Sequence, residues 1–326
     1  MKSIYYKKSV LVTGGTGLIG IQLVNKLFLL GAKITVASLE YNPELPKGVK
    51  FYKQDLRIFK NCLKVTRNID YVFHLAGIKG SPKMAKENPY TFMLPMLLFN
   101  TNMIEASRVN KVKKFLYTSS IGVYNPKTIM KEEDVWKTFP SKNDWYSGWS
   151  KRVGELTIQA CSEENKKMKI SIVRPANVFG PFDNFDKNSA MVIPSLINKF
   201  FESKTGQVEV WGNGMQIRDF IYSEIAADAM IFVMKKNFSD PVNIASGRGY
   251  KIKEVVNIIN NYFDNKYKIK WKKVKFTGDA KRVMSINKLK KLGFKMNFDL
   301  KDSIFKTIDW YKENRKNSFK RYSVFQ

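Results

Sequence analysis

The chain has 326 residues, 44% of them hydrophobic, and its 57 basic residues against 28 acidic ones give a formal net charge of +29. That length suffices for a large core, and because the lysines are dispersed rather than interleaved with aromatics in one block, we interpret the charge as a solvated surface and expect no nucleic-acid partner. No apolar segment reaches the roughly 18 residues of a membrane span, and the chain has 2 cysteines and 1 histidine, so we expect a cytoplasmic protein with no membrane partner and no metal site.

The first predicted elements enclose a glycine-rich loop. A strand near 8–13 runs into LVTGGTGLIG at 11–20, and a helix-period segment follows near 18–30. A strand, a tight glycine turn and a helix N-terminus in this order form a cradle for a pyrophosphate. Gly14 permits the turn, Gly17 lets backbone N–H groups approach the phosphates, and Gly20 lets the helix pack close to the strand. The loop therefore predicts dinucleotide binding.

Strands and helices then alternate through the first half of the chain. The further predicted strands lie near 33–38, 49–53, 70–75, 113–119 and 169–174. The further predicted helices lie near 56–66, 90–110 and 148–166. Repeated βα units are typical of an α/β fold with a Rossmann-type, doubly wound parallel sheet.

The pattern becomes irregular after Pro175. Prolines and polar residues there predict loops and short helices rather than another sheet layer. A helix near 223–236 and a strand near 241–244 are expected to return to the main sheet, and residues 250–326 to form small mixed elements. We assign 1–175, with about 215–245, to the Rossmann domain, and 176–214 with 246–326 to a smaller C-terminal mixed α/β substrate lobe.

Further motifs follow one another along the chain: HLAG (His74–Gly77), TSSIGVY (Thr118–Tyr124), YSGWSKRVGE (Tyr146–Glu155), RPANVFGP (Arg174–Pro181) and RDFIY (Arg218–Tyr222). Their order and spacing resemble the extended short-chain dehydrogenase/reductase family of nucleotide-sugar epimerases, dehydratases and reductases. The resemblance covers about residues 8–295, and its substrate region is most similar to GDP-fucose synthases. The motifs are specific for fold and cofactor class and less specific for the reaction.

The resemblance implies a bound NAD or NADP in the Rossmann domain. The backbone from Gly14 to Ile19 would hold the pyrophosphate, Asp55 and Leu56 would contact the adenine, and His74 is interpreted as a packed strand-end residue without a catalytic role. The implied cofactor-binding residues are Gly14, Gly17, Leu18, Ile19, Ser38, Glu40, Asp55, Leu56, Leu75, Ala76, Gly77, Lys151, Pro175, Asn177 and Val178.

The choice between NAD and NADP depends on the end of the second strand. Members that prefer NAD carry an acidic residue there, which accepts hydrogen bonds from the ribose hydroxyls. Ser38 occupies that place here, and Glu40 lies two residues later. No arginine occurs between 21 and 56 to bind a 2′-phosphate, although Lys47 and Lys53 could reach one. The sequence favours NAD and leaves NADP open.

The resemblance also implies catalytic residues. Ser120 would hydrogen-bond the sugar oxygen, and Lys151 would lower the pKa of a tyrosine acid/base. Relatives have that tyrosine four residues before the lysine, where this chain has Ser147, and Tyr146 lies five before it. Five residues turn a side chain by about 500° on a regular helix. We predict that Tyr146 is the acid/base, entering from an irregular first turn or a π-bulge, with Asp144 capping the helix.

The absence of certain proton-transfer residues limits the reactions that we expect. The 4,6-dehydratases place an Asp-Glu pair directly after the catalytic hydroxyl, where this chain has Ile121 and Gly122. GDP-fucose synthases use a cysteine and a histidine for C3 and C5 epimerisation, but Met191 replaces the histidine and no cysteine lies near Ser120. We therefore expect neither dehydration nor C3/C5 epimerisation. Hydride chemistry at C4 remains.

Substrate binding is assigned to a second set of residues. Arg218 is the expected ligand of the nucleotide diphosphate, because a guanidinium fork suits phosphate, and Arg282 is a second candidate. Asn177 and the backbone around Val192 would line the sugar and diphosphate, and Ser120 would contact the sugar. Trp211 would either pack near the base or belong to the core.

We thus expect an NAD(P)-dependent oxidoreductase that acts at C4 of a nucleotide-diphosphate sugar, as dehydrogenase, ketoreductase or 4-epimerase. The expected substrate is a GDP-hexose or GDP-heptose. The alternative is a non-catalytic NAD(P)-binding regulator or RNA-binding protein of the same fold. By resemblance, the helices near 90–110 and 148–166 would form the four-helix core of a homodimer.

Overall fold

A computed structural model describes residues 3–40, 43–78, 80, 82–126, 129–273 and 278–316. The strands in chain order are β1 (Ser9–Thr13), β2 (Lys33–Ser38), β3 (Lys50–Lys53), β4 (Tyr71–His74), β5 (Lys114–Thr118), β6 (Lys169–Pro175), β7 (Asn177–Phe179), β8 (Gln207–Trp211), β9 (Ile217–Arg218), β10 (Phe220–Tyr222), β11 (Val242–Ile244), β12 (Tyr250–Lys251), β13 (Lys268–Lys272) and β14 (Lys281–Arg282). The α-helices are α1 (Leu18–Leu29), α2 (Phe59–Thr66), α3 (Pro82–Glu87), α4 (Pro89–Val109), α5 (Trp145–Glu164), α6 (Val192–Glu202), α7 (Ser223–Lys236), α8 (Ile252–Tyr262), α9 (Asn287–Lys291) and α10 (Leu300–Asn314).

A seven-stranded sheet forms the centre of the molecule, in the order β11-β6-β5-β4-β1-β2-β3. All of its neighbouring strands are parallel. The order reverses between β1 and β4, where Thr13 pairs with His74. Ligands of open α/β sheets bind at the carboxyl ends of the strands beside such a reversal. The predicted α/β fold is confirmed, and its topology places a binding crevice beside the glycine loop.

Both faces of this sheet are covered, as the near-continuous apolar strands require. Along β1, Val10 and Val12 pack into the cluster that includes α1 and α7, whereas Leu11 packs into the cluster on the opposite face, beneath α2 and α4. Within the described part of the chain, no helix is long and apolar enough to span a membrane.

The region after Pro175 differs from the sequence prediction of loops and short helices. Small sheets form there, with β7 beside β10, β8 beside β13, and β9 between β12 and β14. Helices α6, α8 and α10 enclose a third apolar cluster with these strands. The sequence prediction missed β7, β8, β9 and β10, because strands of two to five residues are too short for a clear alternating pattern. The strands β12, β13 and β14 lie within 250–326, where mixed elements were expected.

Candidate active site

The glycine loop leaves room for a ligand at the start of α1. Gly14 has a φ of +65°, and Gly17 precedes the helix without any side-chain cap. A Cβ on Gly17 would meet only the Gly14 carbonyl oxygen, at 3.2 Å, whereas a Cβ on Gly20 would overlap that oxygen. The first N–H groups of a helix have no intrahelical partner. These N–H groups therefore fit a pyrophosphate, and close helix packing excludes a side chain at Gly20.

A hydroxyl and carboxylate cluster lies beside this loop, at the end of β2. The hydroxyls of Thr16 and Ser38 lie 2.8 Å apart, and both donate to the carboxylate of Glu40. Lys47 and Lys53 line the same shallow cleft as Glu40. The carboxylate can accept bonds from ribose hydroxyls, as NAD requires, while the lysines supply positive charge that suits a 2′-phosphate.

The other implied adenosine contacts lie along the same edge of the sheet. The Asp55 carboxylate accepts hydrogen bonds from Arg57, and this contact lowers the pKa of Asp55. Leu56 is buried, and Leu75 and Ala76 are half-buried. The Ala76 N–H donates to the Thr13 hydroxyl at 3.2 Å, which fixes the end of β4 against β1.

His74 is enclosed in the protein. Its Nδ1 lies 2.8 Å from the Thr13 hydroxyl and its Nε2 lies 3.0 Å from Asn100 Oδ1. Complete burial, reinforced by the Lys151 charge, lowers the pKa of His74 to about 3. The ring is therefore neutral at ordinary pH and has a structural role, because both nitrogens are occupied.

Lys151 is buried at the carboxyl end of β5. Its side chain has 8% of its surface exposed, and its ammonium donates to the Thr118 carbonyl at 2.8 Å. A Cβ on Gly77 would lie 3.9 Å from Lys151 Nζ, so the ammonium also reaches the end of β4. Burial lowers the pKa of Lys151 to about 8, although Glu155 acts in the opposite direction.

Ser120 begins the short 3₁₀ turn Ile121–Val123. Its Oγ accepts the Gly122 N–H at 3.0 Å and thereby caps the turn. A hydroxyl that accepts one bond still has its own proton to donate. The capping contact therefore fixes the Ser120 side chain and leaves its proton available for a sugar oxygen.

Tyr146 does not enter through an irregular turn. The irregular segment, a 3₁₀ turn over Lys142–Asp144, ends before it, and α5 is a regular α-helix from Trp145. Tyr146 therefore lies about 140° from Lys151 around the helix axis. Its side chain is 46% exposed. The sequence prediction of an irregular turn or π-bulge was wrong.

Tyr146 nevertheless lines a cavity of about 210 Å³ between α3, α4 and the start of α5. Asp144 and Ser147 line the same cavity, and the Ser147 hydroxyl donates to the Asp144 carbonyl at 3.2 Å. The remaining lining residues are Ala85, Lys86, Phe92, Lys142, Asn143 and Trp145. The lining of this cavity thus includes Tyr146, Ser147 and Asp144.

The Asp144 side chain does not cap α5, so that prediction was also wrong. Its carboxylate forms an ion pair with Arg282 instead. A Cβ built on Gly122 would lie 3.4 Å from Asp144 Cβ, 3.5 Å from Asp144 Cγ and 3.4 Å from Ser120 Oγ. Asp144 and Ser120 therefore flank the same small space above Gly122. No local sequence pattern indicates the ion pair between Asp144 and Arg282.

The two predicted diphosphate ligands lie in one ionic cluster. Asp279 accepts a hydrogen bond from Arg282 Nε at 2.7 Å and others from Ser141 and Asn143. Burial, reinforced by the Arg282 charge, lowers the pKa of Arg218 to about 10. The cluster contains two guanidinium groups and two carboxylates. The carboxylates offset the repulsion between the arginines.

The other predicted substrate residues lie at the start of the C-terminal elements. Asn177 donates to the Asp219 carbonyl at 2.8 Å, next to half-buried Val178 and buried Pro175. Val192 is the first residue of α6 and is 36% exposed. Trp211 is 64% exposed, with the Lys199 ammonium 4.7 Å from its ring centroid, so it does not belong to the core.

A buried polar network connects β6, α5 and β11. Arg174 donates two hydrogen bonds to Glu155, at 2.9 and 2.6 Å, and one to the Tyr124 hydroxyl at 2.9 Å. Tyr124 in turn donates to Asn243. No sequence motif indicates this network. Across the described ranges, no group of three or more His, Cys, Asp and Glu side chains could hold a metal ion.

The chain is similar to known proteins over most of its length. The model of the NAD dependent epimerase/dehydratase family matches residues 10–245. GDP-mannose 3,5-epimerase 1 of Oryza sativa subsp. indica is 29% identical over 94% of this chain and 82% of its own length. GDP-L-fucose synthase 1 of Arabidopsis thaliana is 28% identical, over 94% of this chain and 93% of its own length. The structure of UDP-N-acetylglucosamine 4-epimerase from Methanobrevibacter ruminantium M1, solved in complex with UDP-N-acetylmuramic acid, has a TM-score of 0.84 and 26% identity, covering 95% of this chain and 99% of that one.

Proposed function

Because the chain belongs to the NAD dependent epimerase/dehydratase family, we propose that it transfers a hydride at C4 of a nucleotide-diphosphate sugar. The observation that carries this proposal is the placement of Lys151 and Ser120 at the carboxyl end of β5, within reach of the crevice that the glycine loop borders. Relatives named for GDP-sugars support a GDP-hexose or GDP-heptose as the substrate.

In this proposal each group of the site has a separate task. The N-terminus of α1 holds the pyrophosphate of the dinucleotide, and Glu40 binds the adenosine ribose of NAD. The chemistry that a bound nicotinamide would supply is acceptance or donation of the C4 hydride. Ser120 donates to the C4 oxygen, and Tyr146 moves the hydroxyl proton. Lys151 keeps a positive charge beside the cofactor.

The arginines bind the other end of the substrate. A diphosphate can bind Arg218 and replace a carboxylate partner of Arg282 without leaving either guanidinium uncompensated. Asn177, Val192 and Trp211 lie on the elements that would enclose the sugar and the base. We further propose that residues 176–214 and 246–326 act as the nucleotide-sugar lobe, with the remainder of 1–245 as the Rossmann domain.

We propose a homodimer as well. Leu98 on α4 and Val153 and Leu156 on α5 are exposed, at 37%, 37% and 58%. Pairing of these two helices with those of a second copy would bury the three side chains in a four-helix contact. Sedimentation equilibrium of wild type and Leu156→Glu tests this proposal, and a monomeric wild type would contradict it.

The test of the reaction uses absorbance and isotope transfer. GDP, UDP, dTDP and CDP are first compared by thermal shift, where we expect the largest stabilisation from GDP. The corresponding hexose, deuterated at C4, is then incubated with NAD, absorbance is read at 340 nm, and label is sought in the reduced cofactor. Preference for UDP or dTDP would contradict the GDP assignment, and failure to move the label would contradict hydride transfer at C4.

One observation favours a second function. Tyr146 and Lys151 lie on different sides of the helix α5. This separation favours a protein that binds a dinucleotide without catalysing a reaction. The same experiment separates the two functions. A regulator would bind NAD or NADP tightly and leave the C4 label in place with every nucleotide sugar.

A further inference from the structure

Two arginines lie side by side in the small sheet of β12, β9 and β14. Arg218 in β9 and Arg282 in β14 are direct partners in the parallel register of these strands. Side chains at such paired positions project from the same face of a sheet. The two guanidinium groups can therefore reach one diphosphate, with one phosphate for each arginine.

Arg282 is covered by two carboxylates. Asp144 and Asp279 both form ion pairs with its guanidinium, and only 11% of the Arg282 side chain is exposed. Burial lowers the pKa of Arg282, but the charges of Asp144 and Asp279 outweigh this effect and raise the pKa above its ordinary value. A diphosphate can therefore bind Arg282 only when one of the two carboxylates leaves.

Asp144 is the carboxylate with the fewer anchors. Asp279 accepts hydrogen bonds from Arg282 Nε at 2.7 Å, and also from Ser141 Oγ at 3.1 Å and Asn143 Nδ2 at 2.9 Å. Within the part of the chain that the structure describes, the Asp144 carboxylate is bonded to Arg282 and does not cap α5. A diphosphate at Arg282 therefore displaces Asp144 more readily than Asp279.

Displacement of Asp144 acts on the first turn of α5. Asp144 directly precedes this helix, and the Ser147 hydroxyl donates to the Asp144 carbonyl at 3.2 Å. Residues 142–147 line the cavity of about 210 Å³ without interruption. The hydrogen bonds to Asp279 anchor the residues before Asp144, so a movement of Asp144 is transmitted to the residues after it. These residues form the wall of the cavity.

We propose that Asp144 is a positioning residue that couples diphosphate binding to the placement of Tyr146. This inference rests on the proposed function, which supplies the diphosphate. With Asp144 paired to Arg282, the first turn of α5 is regular. In that arrangement Tyr146 lies about 140° from Lys151 around the helix axis. A diphosphate in the place of Asp144 releases this turn, and Tyr146 moves toward the side of α5 that carries Lys151.

The coupling requires that the ligand distinguishes the two arrangements of the turn. A ligand shifts an equilibrium only by the difference between its affinities for the two states. The diphosphate meets this condition, because it contacts Arg282 only after Asp144 has left. A sugar without a diphosphate leaves the ion pair in place. Proton transfer by Tyr146 is therefore confined to nucleotide-linked sugars.

The test is hydrogen–deuterium exchange of the full chain loaded with NAD, with GDP, GMP, UDP and UMP as probes. Isothermal titration calorimetry first establishes which of them bind and at what concentration they saturate. A saturating diphosphate should raise the exchange of peptides that cover 144–148 severalfold, whereas a ligand that merely contacts this segment would protect it. The monophosphates offer one phosphate to two arginines and should leave the exchange unchanged.

A variant of Asp144 tests the same coupling from the other side. Asp144→Asn removes the ion pair and should raise the exchange of these peptides without any nucleotide. Because coupling between two sites is reciprocal, it should also tighten binding of the diphosphate at least about fivefold. Asp228→Asn is the matched control, since it breaks an ion pair with Lys26 on α7 and should change neither value. Thermal unfolding checks that both variants fold.

The possible failures are distinguishable. Diphosphate binding to the wild type without a rise in exchange would overturn the role of Asp144 and leave the proposed substrate class intact. Tighter binding by Asp144→Asn without greater exchange would reflect the lost charge alone and would also overturn the coupling. An equal rise with GMP or UMP would overturn the requirement for a diphosphate. Binding of neither GDP nor UDP would overturn both the role of Asp144 and the proposed substrate class.

Discussion

The Lys151 ammonium donates a 2.8 Å hydrogen bond to the Thr118 carbonyl, at the last residue of β5. The helix α5 therefore does not merely cover the sheet. It anchors a buried cation where the strand ends, two residues before Ser120. This relationship fixes the charge at the carboxyl edge of the sheet, where the nicotinamide end of a dinucleotide would lie.

The first prediction concerns pH. Burial lowers the pKa of Lys151 to about 8, so the cation is present below that pH and is lost above it. The kcat/KM of C4 hydride transfer should therefore fall above about pH 8, because this parameter reports groups of the free enzyme. Lys151→Arg keeps its charge and should lose this limb of the profile. An unchanged alkaline limb in that variant would assign the limb to another group.

The lowered pKa of Lys151 also makes the stability of the fold depend on pH. The folded pKa of Lys151 is lower than its ordinary value of 10.5, so the unfolded chain holds the proton more tightly. Its contribution to the free energy of unfolding consequently rises between about pH 8 and pH 10.5. Below pH 8 the buried ammonium carries its full desolvation penalty.

Gly17→Val should prevent dinucleotide binding. The added side chain would lie at the uncapped start of α1, with the Gly14 carbonyl only 3.2 Å from its Cβ, and would cover the N–H groups that face the pyrophosphate. Isothermal titration calorimetry with NAD and NADP measures the loss, and thermal unfolding checks that the variant folds. Wild-type affinity in a folded variant would mean that the dinucleotide binds elsewhere.

Arg218→Ala should weaken binding of the nucleoside diphosphate. Arg218 is half-buried, and truncating one partner of a buried charge-assisted contact costs about 2–5 kcal/mol. Calorimetry with GDP measures this change. Arg108→Ala serves as the control, because that exposed arginine at the end of α4 pairs with Glu105 and should leave the affinity unaltered. Equal affinities in both variants would exclude Arg218 as a ligand.

Tyr146→Phe should lower the turnover at least about a hundredfold while dinucleotide binding stays intact, because general acid–base catalysis contributes that much. Ser147→Ala is the matched control on the next residue, and its effect should be far smaller. Steady-state kinetics at 340 nm with the preferred nucleotide sugar give both values. If Tyr146→Phe retains nearly full activity, another group, such as a water that Ser120 and Ser147 hold, moves the proton at the C4 oxygen.

Glu155→Gln should destabilise the fold. Arg174 and Glu155 are both fully buried, and removing one member of such a pair leaves an uncompensated charge that costs about 3–5 kcal/mol. Urea denaturation at pH 7 measures the free energy of unfolding. The double variant Glu155→Gln with Arg174→Met should recover part of the loss. A single variant as stable as the wild type would show that the other partners of Arg174 compensate its charge.

The sequence predicted the sheet well because each strand of its first half is a short apolar run bounded by turn residues. Glycine positions 14, 17 and 20 carry a backbone requirement that a local pattern reveals, and the structure has the turn, the open face and the close packing at those positions. The short strands after Pro175 lack such a pattern, and their pairing depends on contacts between distant segments.

The site was predictable only where its residues stand in local motifs. Ser120, Lys151 and Arg218 could be named from such motifs. The ion pair of Asp144 with Arg282 could not be predicted, since the two residues are 138 positions apart in the sequence. The start of α5 was predicted three residues late, and this error produced the wrong expectation of an irregular turn at Tyr146. Helix boundaries are set by packing as well as by propensity.

Strand β11 lies at one edge of the seven-stranded sheet, although it follows β7, β8, β9 and β10 in the chain. β11 pairs with β6, and Asn243 in β11 is bonded to Tyr124, to the Met130 carbonyl and to the Ser285 carbonyl. The chain therefore leaves the sheet, returns to complete it and leaves again. A fragment ending at 175 would lack this edge and the partners of its polar groups. Heat or urea should consequently melt both parts in one cooperative transition, and a genetic split of the two would yield no independently folded half.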